Sequence, residues 1–205
     1  VKNNLQLISS LLHLGSAKST QQETKTLMKE MQSRIRSVAM LHETLYRSGN
    51  YVRVNLSRYL RELATLVFRA QTASEGTVRL GLVLEPVEVV TDQAIPCGLI
   101  VNELITNALK YAFPGQRTGE LKVELGKIPD SNNVRLVVAD DGVGLPPDLE
   151  DRSLNSLGTQ LVRDLVRQLE GTVTIGPGPG ARFEIVFEPK AIRAQTKPTD
   201  SHPSH

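Results

Sequence analysis

The chain lacks tryptophan, contains a single cysteine among 205 residues, and has only 4% aromatic residues. One cysteine excludes an internal disulfide and favours a reducing compartment, so we expect a cytoplasmic protein. Because Cys97 lies among apolar neighbours, we expect a buried thiol rather than a nucleophile. No apolar run approaches the roughly 18 to 20 residues that cross a bilayer, and no stretch resembles a signal peptide.

The charges that are present are unevenly distributed along the chain. Residues 1–72 carry 11 Lys and Arg against 4 Asp and Glu, whereas residues 73–205 carry 13 against 18. This asymmetry predicts a basic helical module over 1–72 and an acidic module over 73–188, followed by a disordered tail over 189–205. The basic module has neither zinc-ligand spacing nor an arginine-rich run, so we expect no nucleic-acid partner.

The first module has the apolar spacing of packed helices. Apolar positions repeat at helical spacing over residues 1 to about 14, and a second helix ends near Arg47. The second helix steps by three and four residues through Met28, Met31, Ile35, Val38, His42 and Leu45. Two antiparallel helices cannot bury such stripes alone, so we expect this hairpin to form a dimeric four-helix bundle with a second copy. A third helix, capped by Asn55, would lead to the next domain.

The second module changes to an alternating pattern after Gly76. Apolar residues alternate over 78–84 as in a half-buried strand. We expect a long helix over 93–112, capped by Asp92 and with Pro96 in its first turn. A further helix is expected over 157–170, and strands over 120–128, 133–139, 172–176 and 182–188. Together they predict an α/β sandwich with a mixed or antiparallel sheet, in a chain of the α+β class.

One candidate motif for ligand binding lies on the long helix. The segment N-E-L-I-T-N-A-L-K-Y, from Asn102 to Tyr111, places Glu103, Asn107, Lys110 and Tyr111 on one stripe. An amide oxygen binds hard cations, a lysine binds phosphate oxygens, and a tyrosine ring lines a base or sugar. A solvated helix face is the common alternative for such a stripe.

Two further motifs are glycine-rich turns. A strand ends at Asp140 and turns through Gly142 and Gly144, which pairs a carboxylate acceptor for an exocyclic amine with backbone that a ligand can approach. Gly158 and Thr159 open a helix, where N–H groups and the helix dipole favour phosphate. An ordinary Asp-Gly turn and a plain helix cap are the alternatives. Neither the P-loop nor the dinucleotide G-x-G-x-x-G pattern is present, so a bound nucleotide would require a different fold.

Four motifs follow one another in the order N-E-L-I-T-N-A-L-K-Y, D-D-G-V-G, L-G-T-Q-L-V and G-P-G-A-R-F-E-I-V-F. This set closely resembles the N, G1, G2 and G3 boxes of the GHKL (Bergerat) ATPases, the superfamily of gyrase, heat-shock chaperones, MutL and histidine kinases. V-K-N-N-L-Q-L-I-S-S-L-L at the start and L-H-E-T-L-Y at 41–46 resemble the dimerisation and phosphotransfer helices of sensor histidine kinases related to the HWE group. The resemblance covers residues 1–188, and the lack of a Trp-x-Glu element separates the chain from the HWE group itself.

The resemblance implies roles for individual residues. Asn107 would be the Mg²⁺ ligand, with Asn102 a lesser candidate near the metal. Lys110 would lie near the phosphates and Tyr111 near the nucleoside, and Glu103 would orient the reacting water or histidine. Asp140 would accept from the adenine amino group. The nucleotide would further contact Gly142, Gly144, Gly158, Thr159 and Gly180, and the lid over it would span residues 145–157.

Two departures from the family pattern bear on activity. Family members carry the phosphoacceptor histidine immediately before the Val-Lys-Asn-Asn motif, so we expect it just upstream of Val1 and outside residues 1–205. His13, near a helix end, and His42, at a heptad core position, are better explained by structural roles. Ala181 stands where relatives commonly have threonine, which would weaken one phosphate contact.

The resemblance therefore implies the core of a sensor histidine kinase. ATP with Mg²⁺ would phosphorylate a histidine, which would pass the group to an aspartate on the receiver domain of a response regulator. We expect a homodimer through the N-terminal helices and an upstream sensor domain. The alternatives are an ATPase clamp of the gyrase and MutL kind, in which Glu103 activates water, and a non-catalytic dimeric scaffold.

Overall fold

A computed structural model describes residues 21–48, 53–72, 77–144, 157–176 and 178–190. The helices are α1 (Gln22–Ser48), α2 (Leu56–Gln71), α3 (Thr91–Tyr111) and α4 (Leu157–Gln168), and a short 3-10 turn spans Pro114–Gln116. The strands are β1 (Arg53–Asn55), β2 (Val78–Leu84), β3 (Glu88–Val90), β4 (Gly119–Lys127), β5 (Val134–Asp140), β6 (Thr172–Gly176) and β7 (Arg182–Phe187). The predicted helix over 1–14 with His13, the loop 145–156 and the tail beyond residue 190 lie outside the described residues.

Helix α1 confirms the predicted second helix, which begins at Gln22 and ends at Ser48, one residue beyond the expected end near Arg47. Met40 packs against the hydrophobic core. Leu27 and Met31, by contrast, are each 43% exposed. The pairing of this helix in a dimeric four-helix bundle stays a prediction.

Helix α2 begins at the predicted cap. Asn55 Oδ1 accepts the backbone N–H of Arg58 at 2.9 Å, which satisfies one of the unpaired donors at the start of the helix. The apolar face of α2, which includes Tyr59 and Leu63, is buried against α3 in the same hydrophobic core as the sheet. We expected α2 to lead from the first module into the second, and it packs on α3 of the second module. The domain boundary at residue 72 stays a prediction.

Five strands form one sheet in the order β2-β4-β5-β7-β6. β2 and β4 run parallel, and the other neighbouring pairs are antiparallel, so the predicted mixed sheet is confirmed. One face of the sheet packs on the helices through buried, alternating apolar residues: Leu121, Val123, Leu125, Leu136, Val138, Ile185 and Phe187. The opposite face carries ion pairs such as Lys122–Glu120 and Arg182–Glu184. The fold is therefore α+β, as expected.

A second, two-stranded sheet is absent from the sequence-based prediction. β1 and β3 pair antiparallel, with Val54 opposite Val89, and both side chains are buried. Strands of three residues are too short to show the alternation of period two that identifies longer strands.

Helix α3 starts directly after β3, which corrects two expectations. Asp92 is not the cap, because Val90 occupies the cap position without a side-chain hydrogen bond and Asp92 lies in the first turn. A carboxylate there still interacts favourably with the positive end of the helix dipole. Pro96 lies in the helix interior rather than in the first turn. It therefore removes the N–H that would otherwise bond to the carbonyl of Asp92.

The side chain of Gln93 ties the end of the described chain to α3. Its Nε2 donates to the carbonyl oxygen of Glu188, and its Oε1 accepts the N–H of Lys190, both at 2.8 Å. Gln93 is 1% exposed, so these bonds replace the water that its amide would otherwise bind. The segment after β7 is thereby fixed at the N-terminal end of α3.

Close packing between α2 and α3 requires glycine at position 98. A Cβ atom on Gly98 would collide with the hydroxyl of Tyr59 and lie 2.7 Å from two of its ring carbons, and that ring is buried. We expect Gly98→Ala to lower the free energy of unfolding by about 1 to 3 kcal/mol, measured by urea denaturation.

Gly81→Ala provides the control for this substitution. A Cβ atom on Gly81 meets only the side chains of Glu120 and Lys122, at 3.0 and 3.2 Å, and these lie on the charged face of the sheet. An equal loss of stability in both variants would contradict the packing argument.

Candidate functional site

Segments that are far apart in the sequence converge on the C-terminal half of α3. The turn after β5 packs on the end of α3, where Val143 donates its backbone N–H to the carbonyl oxygen of Ala112 at 2.9 Å. A Cβ atom on Gly142 would collide with that carbonyl, and Gly144 has a φ of +77° that favours glycine. The segment before β7 approaches the same turn through Gly180, and α4 begins against α3 at Gly158. The four motifs therefore line one region.

Asp140 lies at the end of β5 and is held by backbone donors. Its Oδ1 accepts the N–H of Gly142 at 2.9 Å and that of Ala181 at 3.2 Å. Both bonds end on Oδ1, so the described residues make no hydrogen bond to Oδ2. A Cβ atom on Gly180 would collide with this carboxylate, which explains the glycine there. Burial raises the pKa of Asp140, and the two N–H donors oppose that shift.

Arg117 lies beside this carboxylate and was not identified from the sequence. Its Nη2 donates to the carbonyl oxygen of Asp141 at 3.1 Å, and its charge lowers the pKa of Asp140. The side chain of Asp141 turns away and accepts the N–H of Glu120 at 2.7 Å. The two adjacent aspartates therefore differ, because Asp141 fastens the turn to β4 while Asp140 faces the G3 segment.

The predicted polar stripe on α3 runs from buried to exposed. Glu103 is 6% exposed, Asn107 is half-buried, Lys110 is exposed, and Tyr111 is 69% exposed. The alternative of a solvated helix face is excluded for Glu103, because its carboxylate is buried and a buried carboxylate requires a partner. The stripe therefore has one buried end and one open end.

The partner of Glu103 comes from helix α1, which the sequence did not indicate. Arg34 donates from Nε at 3.1 Å and from Nη2 at 2.8 Å to Oε2 of Glu103, and the two side chains are 19% and 7% exposed. One residue earlier on each helix, Ser33 Oγ donates to Asn102 Oδ1 at 2.7 Å. These contacts fasten α1 to the motif-bearing face of α3.

Gly158 brings the start of α4 against the same stripe. A Cβ atom there would collide with Oε1 of Glu103 and lie 3.4 Å from Nδ2 of Asn107. Thr159, the next residue, is half-buried. The first turn of a helix presents backbone N–H groups that favour anions, so this contact sets the start of α4 beside Asn107.

The protein oxygen atoms near Gly158 would bind a hard cation only together with oxygen atoms from a bound ligand. Among the described residues, no group of three or more His, Cys, Asp or Glu side chains is placed to hold a metal ion. The amide of Asn107 supplies an oxygen donor of the kind that Mg²⁺ prefers. Phosphate oxygens of a bound nucleotide would complete such a shell.

Cys97 and His42 are the remaining candidates for chemistry. Cys97 is fully buried, and burial raises the pKa of its thiol, as expected for a structural cysteine. His42 lies within α1, but its side chain is outside the described part of the structure. No helix among the described residues is long and apolar enough to cross a membrane.

Two family models match separate parts of the chain. Residues 1–71 match a model described as "Histidine kinase", and residues 92–191 match one described as "Histidine kinase-, DNA gyrase B-, and HSP90-like ATPase". The sheet and helices described above are therefore a GHKL-type ATPase fold, as the four motifs predict.

Curated relatives and solved structures agree with these matches. The chain is 29% identical over 175 residues to the sensor histidine kinase PdtaS of Mycobacterium tuberculosis, covering 84% of this chain and 34% of that protein. It is 25% identical to blue-light-activated histidine kinase 2 of Erythrobacter litoralis, covering 87% and 51%. The chain thus spans about a third to a half of these relatives. The histidine kinase domain of Erythrobacter litoralis EL346 superposes with a TM-score of 0.71 at 20% identity, covering 90% of this chain and 94% of that one.

The raised pKa of Asp140 predicts how stability depends on pH. An ionised carboxylate whose folded pKa lies above its unfolded value costs free energy of folding at neutral pH. Asp140→Asn should therefore equal or exceed the wild type in free energy of unfolding at pH 7, by less than about 1 kcal/mol because solvent screens the half-buried group. The difference should shrink as the pH falls and vanish below 3.8, where the carboxyl is protonated in both the folded and the unfolded chain.

Urea unfolding at pH 7 and at a pH below 3.8 measures this difference. A clear loss of stability in Asp140→Asn at pH 7 would contradict the prediction. It would mean that the N–H groups of Gly142 and Ala181 outweigh the cost of burial.

Proposed function

Because residues 1–71 and 92–191 match histidine kinase models, we propose that the α+β domain binds ATP with Mg²⁺ and delivers the γ-phosphoryl group to a histidine. The phosphohistidine then transfers the group to an aspartate on the receiver domain of a response regulator. The observation that carries the proposal is the meeting of Asp140, Gly142 and Gly180 with the end of the helix that bears Asn107.

The adenine end of the site is assigned to Asp140 and its glycines. Two backbone N–H groups hold Oδ1, which fixes the carboxylate and would leave Oδ2 to accept from the ligand. An ionised carboxylate is an acceptor only, so it selects the exocyclic amino group of adenine. Gly142, Gly144 and Gly180 let the base approach the backbone. The exposed ring of Tyr111, next to the contact between Ala112 and Val143, is assigned to the nucleoside.

The phosphate end is assigned to Asn107, Lys110, Gly158 and Thr159. Asn107 would hold Mg²⁺, with Asn102 farther from the ion, and Lys110 follows one turn later toward solvent. The first turn of α4, at Gly158 and Thr159, would face the phosphates with backbone N–H groups. Bound Mg²⁺ supplies neutralisation of the negative charge on the phosphate oxygens.

In phosphoryl transfer, the residues of this chain mainly orient the reacting groups and contribute little covalent chemistry. The imidazole nitrogen of the acceptor histidine forms a bond to the γ-phosphorus, the bond to the bridging oxygen breaks, and ADP leaves. Glu103 is assigned to orient the acceptor histidine, whose position immediately before Val1 is part of the proposal. An ATPase clamp would instead need Glu103 to activate water, and the match of residues 1–71 to a histidine kinase model disfavours it.

The proposed partners follow from the first module. A homodimer through the N-terminal helices would cover the apolar residues Leu27 and Met31, which are 43% exposed on α1. The basic charge of residues 1–72 would attract an acidic receiver domain. An upstream sensor domain would complete the protein.

Asn107→Ala tests the metal assignment. Removing the amide oxygen should weaken binding of a non-hydrolysable Mg·ATP analogue by about 10-fold to 100-fold, the range seen when groups around a metal are removed. Isothermal titration calorimetry measures the affinity with and without Mg²⁺. The matched control is Asn132→Ala, in the exposed turn between β4 and β5. Wild-type affinity in Asn107→Ala would remove the central assignment of the site.

Radiolabelled ATP tests the transfer itself. We expect the full-length protein to take up label that is stable in base and lost in acid, the signature of phosphohistidine, and Asn107→Ala to abolish it. Residues 1–205 alone should bind the nucleotide and stay unlabelled. Label on residues 1–205 would show that His13 or His42 is an acceptor and would correct the proposed position of the histidine.

A further inference from the structure

Helix α1 is attached to the proposed catalytic face by a buried ion pair. Arg34 and Glu103 are 69 positions apart in sequence, and both guanidinium donors reach the same carboxylate oxygen, at 2.8 and 3.1 Å. The adjacent bond from Ser33 to Asn102, at 2.7 Å, fixes the rotation of α1 against α3. Ion pairs that are mostly desolvated, with several directed bonds, define one arrangement of two helices more sharply than apolar packing does.

Arg34 binds one oxygen of Glu103 in this arrangement, and the other oxygen faces the start of α4. Oε2 holds Arg34, and Oε1 lies so close to Gly158 that a Cβ atom there would collide with it. Arg34 holds the carboxylate of Glu103 toward α1, and at 6% exposure Glu103 is closed to an incoming imidazole. The contact that orders Glu103 therefore also keeps it from the reacting histidine.

We propose that Ser33 and Arg34 of α1, bound to Asn102 and Glu103 of α3, form a latch that holds the kinase in a resting state. Release of α1 frees the carboxylate of Glu103 to orient the acceptor histidine. The inference rests on the proposed function, because it concerns the step in which Glu103 acts. Arg34 is thus a positioning residue that works through Glu103.

Two further observations favour a latch that can open. The cost of desolvating two charges largely offsets their attraction, so a buried pair specifies geometry without adding much net stability. The hydroxyl of Thr106, which is 5% exposed and lies on the same face of α3 as Asn102 and Glu103, has no hydrogen-bond partner among the described residues. A buried hydroxyl without a partner is costly, and this cost lies on the face of α3 that carries Asn102 and Glu103.

Arg34→Gln opens the latch by removing the charge while keeping a polar side chain. Arg36→Gln is the matched control, since Arg36 lies on the same helix, is exposed, and has no part in the site. In the full-length protein, we expect Arg34→Gln to raise the rate of histidine labelling about fivefold or more, with an unchanged KM for ATP. Amide hydrogen exchange should accelerate in residues 30–40 of Arg34→Gln only, while ADP affinity by calorimetry stays at the wild-type value.

The outcomes separate the latch from the proposed function. Faster exchange with unchanged or slower labelling in Arg34→Gln would reduce the ion pair to a structural role and overturn the latch alone. Exchange equal to that of Arg36→Gln would show that the pair does not hold α1, with the same consequence. Absence of label from the wild type and from both variants would overturn the proposed function, and the latch with it.

Discussion

Burial of α3 is the constraint on which the rest of the structure depends. Of its 21 residues, 13 are buried, and it contacts α1, α2, α4 and the strands of both sheets. A helix enclosed in this way cannot rotate without opening the core, so the directions of Glu103 and Asn107 are fixed by packing. The hydrogen bond from the N–H of Val143 to the carbonyl oxygen of Ala112 then fixes the turn after Asp140 against the end of this helix. A rigid helix with one open end is a suitable frame for holding a ligand in one orientation.

The polar residues of this helix determine what may pack beside it. Gln93, Asn102 and Glu103 are all buried, and each is satisfied by a group from another segment. Because burying such groups without partners is costly, the segments that pair with them are placed more specifically than apolar contact alone would place them. The position of α1 is thus coupled to the site through charge, whereas α2 is attached by apolar packing around Tyr59.

The sequence could predict what is local. Alternation over 78–84, the cap at Asn55 and each of the four motifs lie within short windows, and the structure has the expected strand, cap and neighbouring turns. Strands of three residues carry too little pattern, so β1 and β3 were missed. The pairing of Arg34 with Glu103 joins residues 69 positions apart, and nothing in the local spacing of either distinguishes it from a solvated charge. Asp92 was misassigned as a cap because the strand before it went unrecognised.

The amide clamp at Gln93 determines where the chain leaves the domain. Lys190 is bonded beside the N-terminal end of α3, whereas Lys110 and Tyr111 lie near its other end, 17 and 18 residues along the helix from Gln93. At about 1.5 Å of rise per residue, this separates the exit from the open end of the site by about 25 Å. A fluorophore or an affinity tag joined after residue 190 would therefore lie at the N-terminal end of α3, opposite the end at which a ligand would bind. The domain can be immobilised there with the entrance to its site facing away from the support.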